Sequence, residues 1–220
     1  MGNNWNKLFA GYQKTRGGTF FGSRKDWYNC QLVLTEGEKT PILVYVDTVP
    51  AGRSYNNNIY ARTCVQLNGE YTLKIGDRSA IVGGVKSLAG MLGGGNDFGF
   101  PEVTKDRTIA TNNKPFTRQV LGDLDFRNAL LLRKRDYVKI EPTPQGEGWH
   151  MVEIGYVNFE GLMRDSSSWV NDAVAADTAL MLEEDKAAVE QAAQAHFDKQ
   201  MDEFLSLLRA AARAVTAWRM

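Results

Sequence analysis

The sequence is poor in cysteine and histidine, carries no surplus of either charge, and contains no long apolar run. Each shortage excludes something. Cys30 and Cys64 are the only cysteines among 220 residues, too few for a disulfide scaffold, so free thiols in a reducing compartment are expected. His150 and His196 are the only histidines. The gaps of 34 between the cysteines (64 minus 30) and 46 between the histidines (196 minus 150) match no zinc module. No metal or cofactor is expected. Lys+Arg and Asp+Glu both number 26, which leaves no overall field to draw a polyanion, and no nucleic-acid partner is expected. The one basic run, Arg133-Lys134-Arg135, falls at the end of a predicted helix, where the dipole favours cations. No stretch approaches the roughly 18 apolar residues of a membrane span. The opening Met1-Gly2-Asn3-Asn4-Trp5-Asn6-Lys7 lacks the apolar core of a signal peptide, and Asn6 spoils a myristoylation motif, so a cytoplasmic location is expected.

Catalytic signatures are missing as well. No G-x-S-x-G or H-E-x-x-H occurs. Gly83-Gly84-Val85-Lys86-Ser87 is not a phosphate loop, because Val85 separates the lysine from the glycine that must precede it. Asp123-Leu124-Asp125 follows Gly122 and reads as a helix start rather than a metal-binding pair, since alternate helical residues diverge.

What is present is strand and turn pattern followed by helix. Trp5, Leu8, Phe9 and Tyr12 predict a short helix over 5–13, ended by Gly17-Gly18. Trp27–Leu34, Ile42–Val49 and Ile59–Leu67 read as strands, with Glu36-Gly37-Glu38 as a turn. The asparagine-rich tract 51–58 reads as a loop, and Asn68-Gly69 as a hairpin turn returning the chain along Tyr71–Ile75. A one-sided helix is expected over 79–92, a short strand over 108–111, helices over 114–121 and 123–133, and a hairpin of 137–141 with 149–157. Cys30 should face the core and Cys64 a more polar face. Hairpin signals outnumber helical crossovers. The predicted fold is therefore α+β, an antiparallel sheet with helices packed on one side and a long C-terminal amphipathic helical segment. Trp27, Tyr28, Tyr45, Tyr55, Tyr60 and Tyr71 are either core and sheet surface or the lining of a ligand cleft.

Phe100-Pro101-Glu102-Val103 after a Gly-rich loop, the polar turn Thr111-Asn112-Asn113, the buried-leucine helix at Val120-Leu121 and the closing hairpin together resemble an uncharacterised bacterial family of α+β domains of unknown function. The resemblance spans about residues 86–154. It implies a short strand at 100–103 and no activity. Many of that family's members look membrane-anchored, and this chain has no such segment.

The C-terminal segment 172–220 separates from the body 1–171 in composition and charge. The body carries 21 basic and 17 acidic residues (+4), the tail 5 and 9 (−4). From Asp172 the chain has no Gly or Pro, begins acidic and ends basic, as the helix dipole favours. Phe197, Met201, Phe204, Leu208, Ala211, Val215 and Trp218 recur at steps of four and three, a heptad seam. An unbroken helix over 172–218 would be roughly 70 Å long, against about 40 Å for the body. Either it breaks and packs on its own domain, or it protrudes and pairs with another chain. The functional expectation is a non-enzymatic module that binds itself or another protein through Phe197, Met201, Phe204, Leu208, Val215 and Trp218. The alternative is a small-ligand-binding or enzymatic α+β domain with its cleft between sheet and helices.

Overall fold

A computed structural model describes residues 5–22, 30–35, 37–51, 54–77, 97–144, 146–156 and 183–218, with the backbone alone at 48–51, 54–56 and 183–186. It contains helix α1 (Trp5–Arg16), strands β1 (Thr19–Phe21), β2 (Gln31–Leu34), β3 (Ile42–Ala51), β4 (Ser54–Gln66) and β5 (Leu73–Asp77), and the single turn α2 (Pro101–Thr104). Next come β6 (Arg107–Thr111), α3 (Lys114–Gly122), α4 (Leu124–Leu132), β7 (Tyr137–Pro142), β8 (Trp149–Tyr156) and α5 (Glu183–Thr216). The strands form one antiparallel sheet in the order β1-β2-β3-β4-β8-β7-β5-β6. This is the α+β architecture expected. Among the described residues no helix is long and apolar enough to cross a membrane.

Period-two alternation fixes the sheet's two faces. Leu32, Val44, Ala61, Ile154, Val138, Ile75 and Ile109 pair strand by strand from β2 to β6, and all are buried. The helices pack on this face. Cys30 belongs to it and Cys64 alternates away, both as free thiols.

The seam of α5 closes this core. Phe197, Met201, Phe204, Leu208, Ala211 and Val215 are all fully buried in a single apolar cluster with the sheet and α1. Phe197 sits in an aromatic cage, 5.3 Å from Phe9 and 6.3 Å from both Trp5 and Tyr12 between ring centres. The residues expected to dock a second chain are largely covered within this one. Five of the six residues assigned to an interface lie inside the chain's own core, and only Trp218, 47% exposed, stands outside it. Over Glu183–Thr216 the helix does not break: α5 runs 34 residues without interruption, about 51 Å at 1.5 Å per residue. Its N-terminal half finds a partner in α1. Lys7 pairs with Glu190 at 2.6 Å, Gln194 Nε2 donates to the Leu8 carbonyl at 3.0 Å, and Asp202 accepts from Tyr12 and Arg16 at 2.8 and 2.7 Å. The two helices run parallel, and the charge contrast between body and tail is used in part across this contact. Residues 172–182 of the expected helix lie outside the described residues.

Three local readings are overturned. The asparagine tract is strand, not loop. Asn57 and Asn58 pair with Thr48 and Asp47 and are buried, because the long β3–β4 ladder satisfies their backbone regardless of weak strand propensity. Asn68-Gly69 does not turn a hairpin. The edge of β4 is taken by β8 over eight register pairs, and β5 crosses to lie between β7 and β6. Gly69 is not among the glycines with positive φ, so the tight hairpin geometry is absent. Phe100-Pro101-Glu102-Val103 enters the helical turn α2 rather than a strand, as proline at the first helical position permits. The short strand β1 was not anticipated. Gly18, with φ +93°, admits it: a Cβ there would lie 2.5 Å from the Val33 carbonyl on β2. The predicted helix at 79–92 and the start of the Trp27–Leu34 strand lie outside the described residues.

Other expectations stand. Asn113 and Asp123 cap α3 and α4, accepting from Phe116 N at 3.0 Å and Phe126 N at 2.8 Å. Asp123 is thus a helix cap, as read. The hairpin of β7 and β8 forms as predicted.

Candidate functional site

Three polar assemblies stand out, and two of them are closed structural networks. The first replaces the basic run. Arg133 is buried, its Nε donating to Asp136 Oδ2 at 2.7 Å and its Nη1 to Gln200 Oε1 at 2.9 Å. Arg107 donates to the carbonyls of Asp136, Leu130 and Arg133, serving carbonyls that the end of α4 leaves without helical partners. Burial pushes the Asp136 carboxyl up to about 6, outweighing the opposing pull of Arg133. Arg133 thus binds α4 to α5.

The second lies on the sheet face away from α5. Tyr45 and Tyr60 stack at 5.1 Å, Tyr137 follows at 6.3 Å from Tyr60, and Arg62 lies 4.9 Å over the Tyr45 ring. Glu153, almost fully buried, pairs with Arg62 and accepts from the Tyr137 hydroxyl at 2.7 Å. Burial, reinforced by Glu153, raises the Tyr137 phenol well above its ordinary value, and burial pushes Tyr45 up to about 12. Every charge in this row already has a partner. Of the aromatics singled out in the sequence, Tyr45 and Tyr60 meet here. Tyr71 is elsewhere, in the core against Phe116. Trp27, Tyr28 and the Tyr55 side chain lie outside the described residues.

The third assembly is an open cleft of about 460 Å3 between the sheet and the last turns of α5. Its floor is Ile42 of β3 with Thr63 and Val65 of β4, residues that alternation turns to the helix side. One wall is the β2–β3 turn, Gly37 to Thr40, and the other is Arg209, Ala212, Arg213 and Thr216 of α5. Trp149, paired across the ladder with Gln66, forms the rim. The turn is pinned to β4 by hydroxyls: Thr40 and Thr63 lie 2.7 Å apart, Thr40 reaches the Cys64 carbonyl at 2.9 Å, and Thr63 reaches the Pro41 carbonyl at 3.1 Å. Two hydroxyl protons thus serve three short contacts.

The cleft is charged on one side. Arg209 donates from Nε and Nη2 to the same Glu38 oxygen, at 2.7 and 2.6 Å, and Glu38 is only 14% exposed. Arg213 reaches out to Asp125 of α4 at 2.9 Å, both side chains more than half exposed. Lys39 is exposed at the turn. Among the described residues no group of three or more His, Cys, Asp or Glu is placed to hold a metal. Sequence reasoning expected, as its alternative, a cleft between sheet and helices but assigned none of these residues to it. The available signal was Arg209 and Arg213, one turn apart and flanking the buried seam at Leu208 and Ala211. Without the fold, nothing ties them to Glu38.

A scan against family models, a search of curated proteins and a search of solved structures each find no match.

Proposed function

We propose that this chain is a binding protein for a small molecule held in the cleft between β3, β4 and the C-terminal turns of α5. The observation that carries this reading is the cleft itself. Its volume of about 460 Å3 falls within the few hundred to a thousand Å3 that bound small molecules occupy. It combines an apolar floor with a few polar groups at fixed positions, the pattern that gives affinity from burial and orientation from hydrogen bonds. Its ionisable groups are two arginines, a lysine, one arginine-bound carboxylate and one thiol. That set holds charge; it supplies no second carboxylate or imidazole to move a proton. Self-association through α5 is not part of the reading, because the seam is spent on the core.

The test is ligand-observed NMR of the full chain against mixtures of small amphipathic compounds, with Thr216→Trp as control. Thr216 is an exposed lining residue in the last turn, so the indole fills the mouth without disturbing the core. Compounds that bind the wild type and not the variant support the reading. Absence of any such compound, or binding indifferent to the variant, overturns it.

A further inference from the structure

We infer that the cleft takes an organic anion, an apolar body ending in a carboxylate or similar headgroup; this rests on the cleft being the binding site. Three cations line it (Lys39, Arg209 and Arg213) against one anion, Glu38, a local charge of +2 in a chain whose net charge is zero. The surplus is therefore a placement and not a reflection of general basicity. Each cation has unspent capacity. Arg209 engages Glu38 through Nε and Nη2 on one oxygen, and a guanidinium fork presents further N–H donors suited to a second carboxylate. The Arg213–Asp125 pair is mostly exposed, and such pairs hold weakly against a competitor. Lys39 forms no ion pair among the described residues.

One feature opposes an anion. The last turn of α5 brings the negative end of the helix, about half a charge, to the same wall. The net +2 of the lining residues outweighs it, and the same dipole helps to keep Arg209 and Arg213 in place. Ile42, Val65, Ala212 and Trp149 supply the apolar surface for the rest of the ligand. Glu38 then acts as the internal occupant: it holds Arg209 in position until a ligand headgroup shares the guanidinium.

Isothermal titration of the full chain with decanoate and with 1-decanol separates the two levels of the inference. Decanoate is expected to bind at least about tenfold more tightly than decanol, since a charge-assisted hydrogen bond in a partly desolvated site is worth that much. Lys39→Gln and Arg209→Gln should each lower the ratio of decanoate to decanol affinity, and raised salt should do the same. Lys39 is exposed and forms no ion pair among the described residues, so its variant leaves the fold intact. Equal affinity for the two compounds overturns the anion inference and leaves the cleft reading standing. Failure of both to bind, or binding unaffected by Thr216→Trp, overturns the cleft reading and the inference with it.

Discussion

Phe197→Ala decides whether the seam of α5 is core or interface. Phe197 has no exposed surface and touches three other aromatic rings, those of Trp5, Phe9 and Tyr12. Truncating a buried phenylalanine to alanine costs about 3–5 kcal/mol, because the transfer energy of the ring is lost and the cavity only partly collapses. The cage is built from two helices rather than a mobile loop, so collapse is limited and the upper half of that range is expected. With a urea slope of about 3 kcal/mol per molar for a chain of this size, the unfolding midpoint should fall by about 1–2 M. Chemical denaturation followed by fluorescence at two protein concentrations is the assay. A core residue gives a loss independent of concentration. An intermolecular seam gives a wild-type midpoint that rises with protein concentration, as mass action requires. A Phe9→Ala partner closes a double-mutant cycle, in which the tilted pair at 5.3 Å should show a coupling of about 1 kcal/mol. A concentration-dependent midpoint, or a loss under about 1 kcal/mol, would refute the intramolecular packing.

Three further outcomes follow from other parts of the fold. His150 accepts from Tyr71 N at 3.1 Å through Nε2 and faces the Gly148 carbonyl at 3.0 Å through Nδ1, a pattern that sets its ring proton on Nδ1. His150→Leu should cost about 2 kcal/mol or more by stranding both backbone groups, and a denaturation midpoint unchanged by the substitution would contradict that role. Gly155 leaves the space that the Tyr137 ring fills, a Cβ there lying 2.4 Å from Tyr137 Cε1. Gly155→Ala should therefore destabilise by about 1–3 kcal/mol in the wild type but not in a Tyr137→Ala background, and equal effects in both would disprove the contact. Asp136 has a folded pKa of about 6, above its unfolded value of about 3.9. Its contribution to stability is present in full below pH 4 and lost as pH rises through 6. Relative to Asp136→Asn, the wild type should gain stability when acidified from pH 7 to pH 4. A relative loss over that range would mean that pairing with Arg133 outweighs burial.

How far the fold was legible depends on how local its causes are. Alternation in Ile42–Val46 and Ile59–Val65, the caps at Asn113 and Asp123, and the seam from Phe197 to Val215 are written in spacing, because a side chain's direction follows from its position in a strand or helix. The β7–β8 hairpin is local too. The path after Asn68-Gly69 is not. That dipeptide carries hairpin chemistry, yet β8, more than eighty residues on, occupies the edge it would have used. The Asn57-Asn58 strand likewise exists because of its ladder partners and not its own preference.

The same division runs through the candidate site. Sequence alone determined that α5 has an apolar seam, that the sheet is antiparallel with one buried face, and that no standard catalytic motif is present. All of these follow from residue type and period. Only the tertiary structure decided what the seam covers, since an apolar stripe specifies burial but not the surface that buries it. It also decided the cleft. Glu38 and Arg209 stand 171 positions apart, and only the packing of α5 across β3 and β4 brings a turn carboxylate and a helix guanidinium to the same wall.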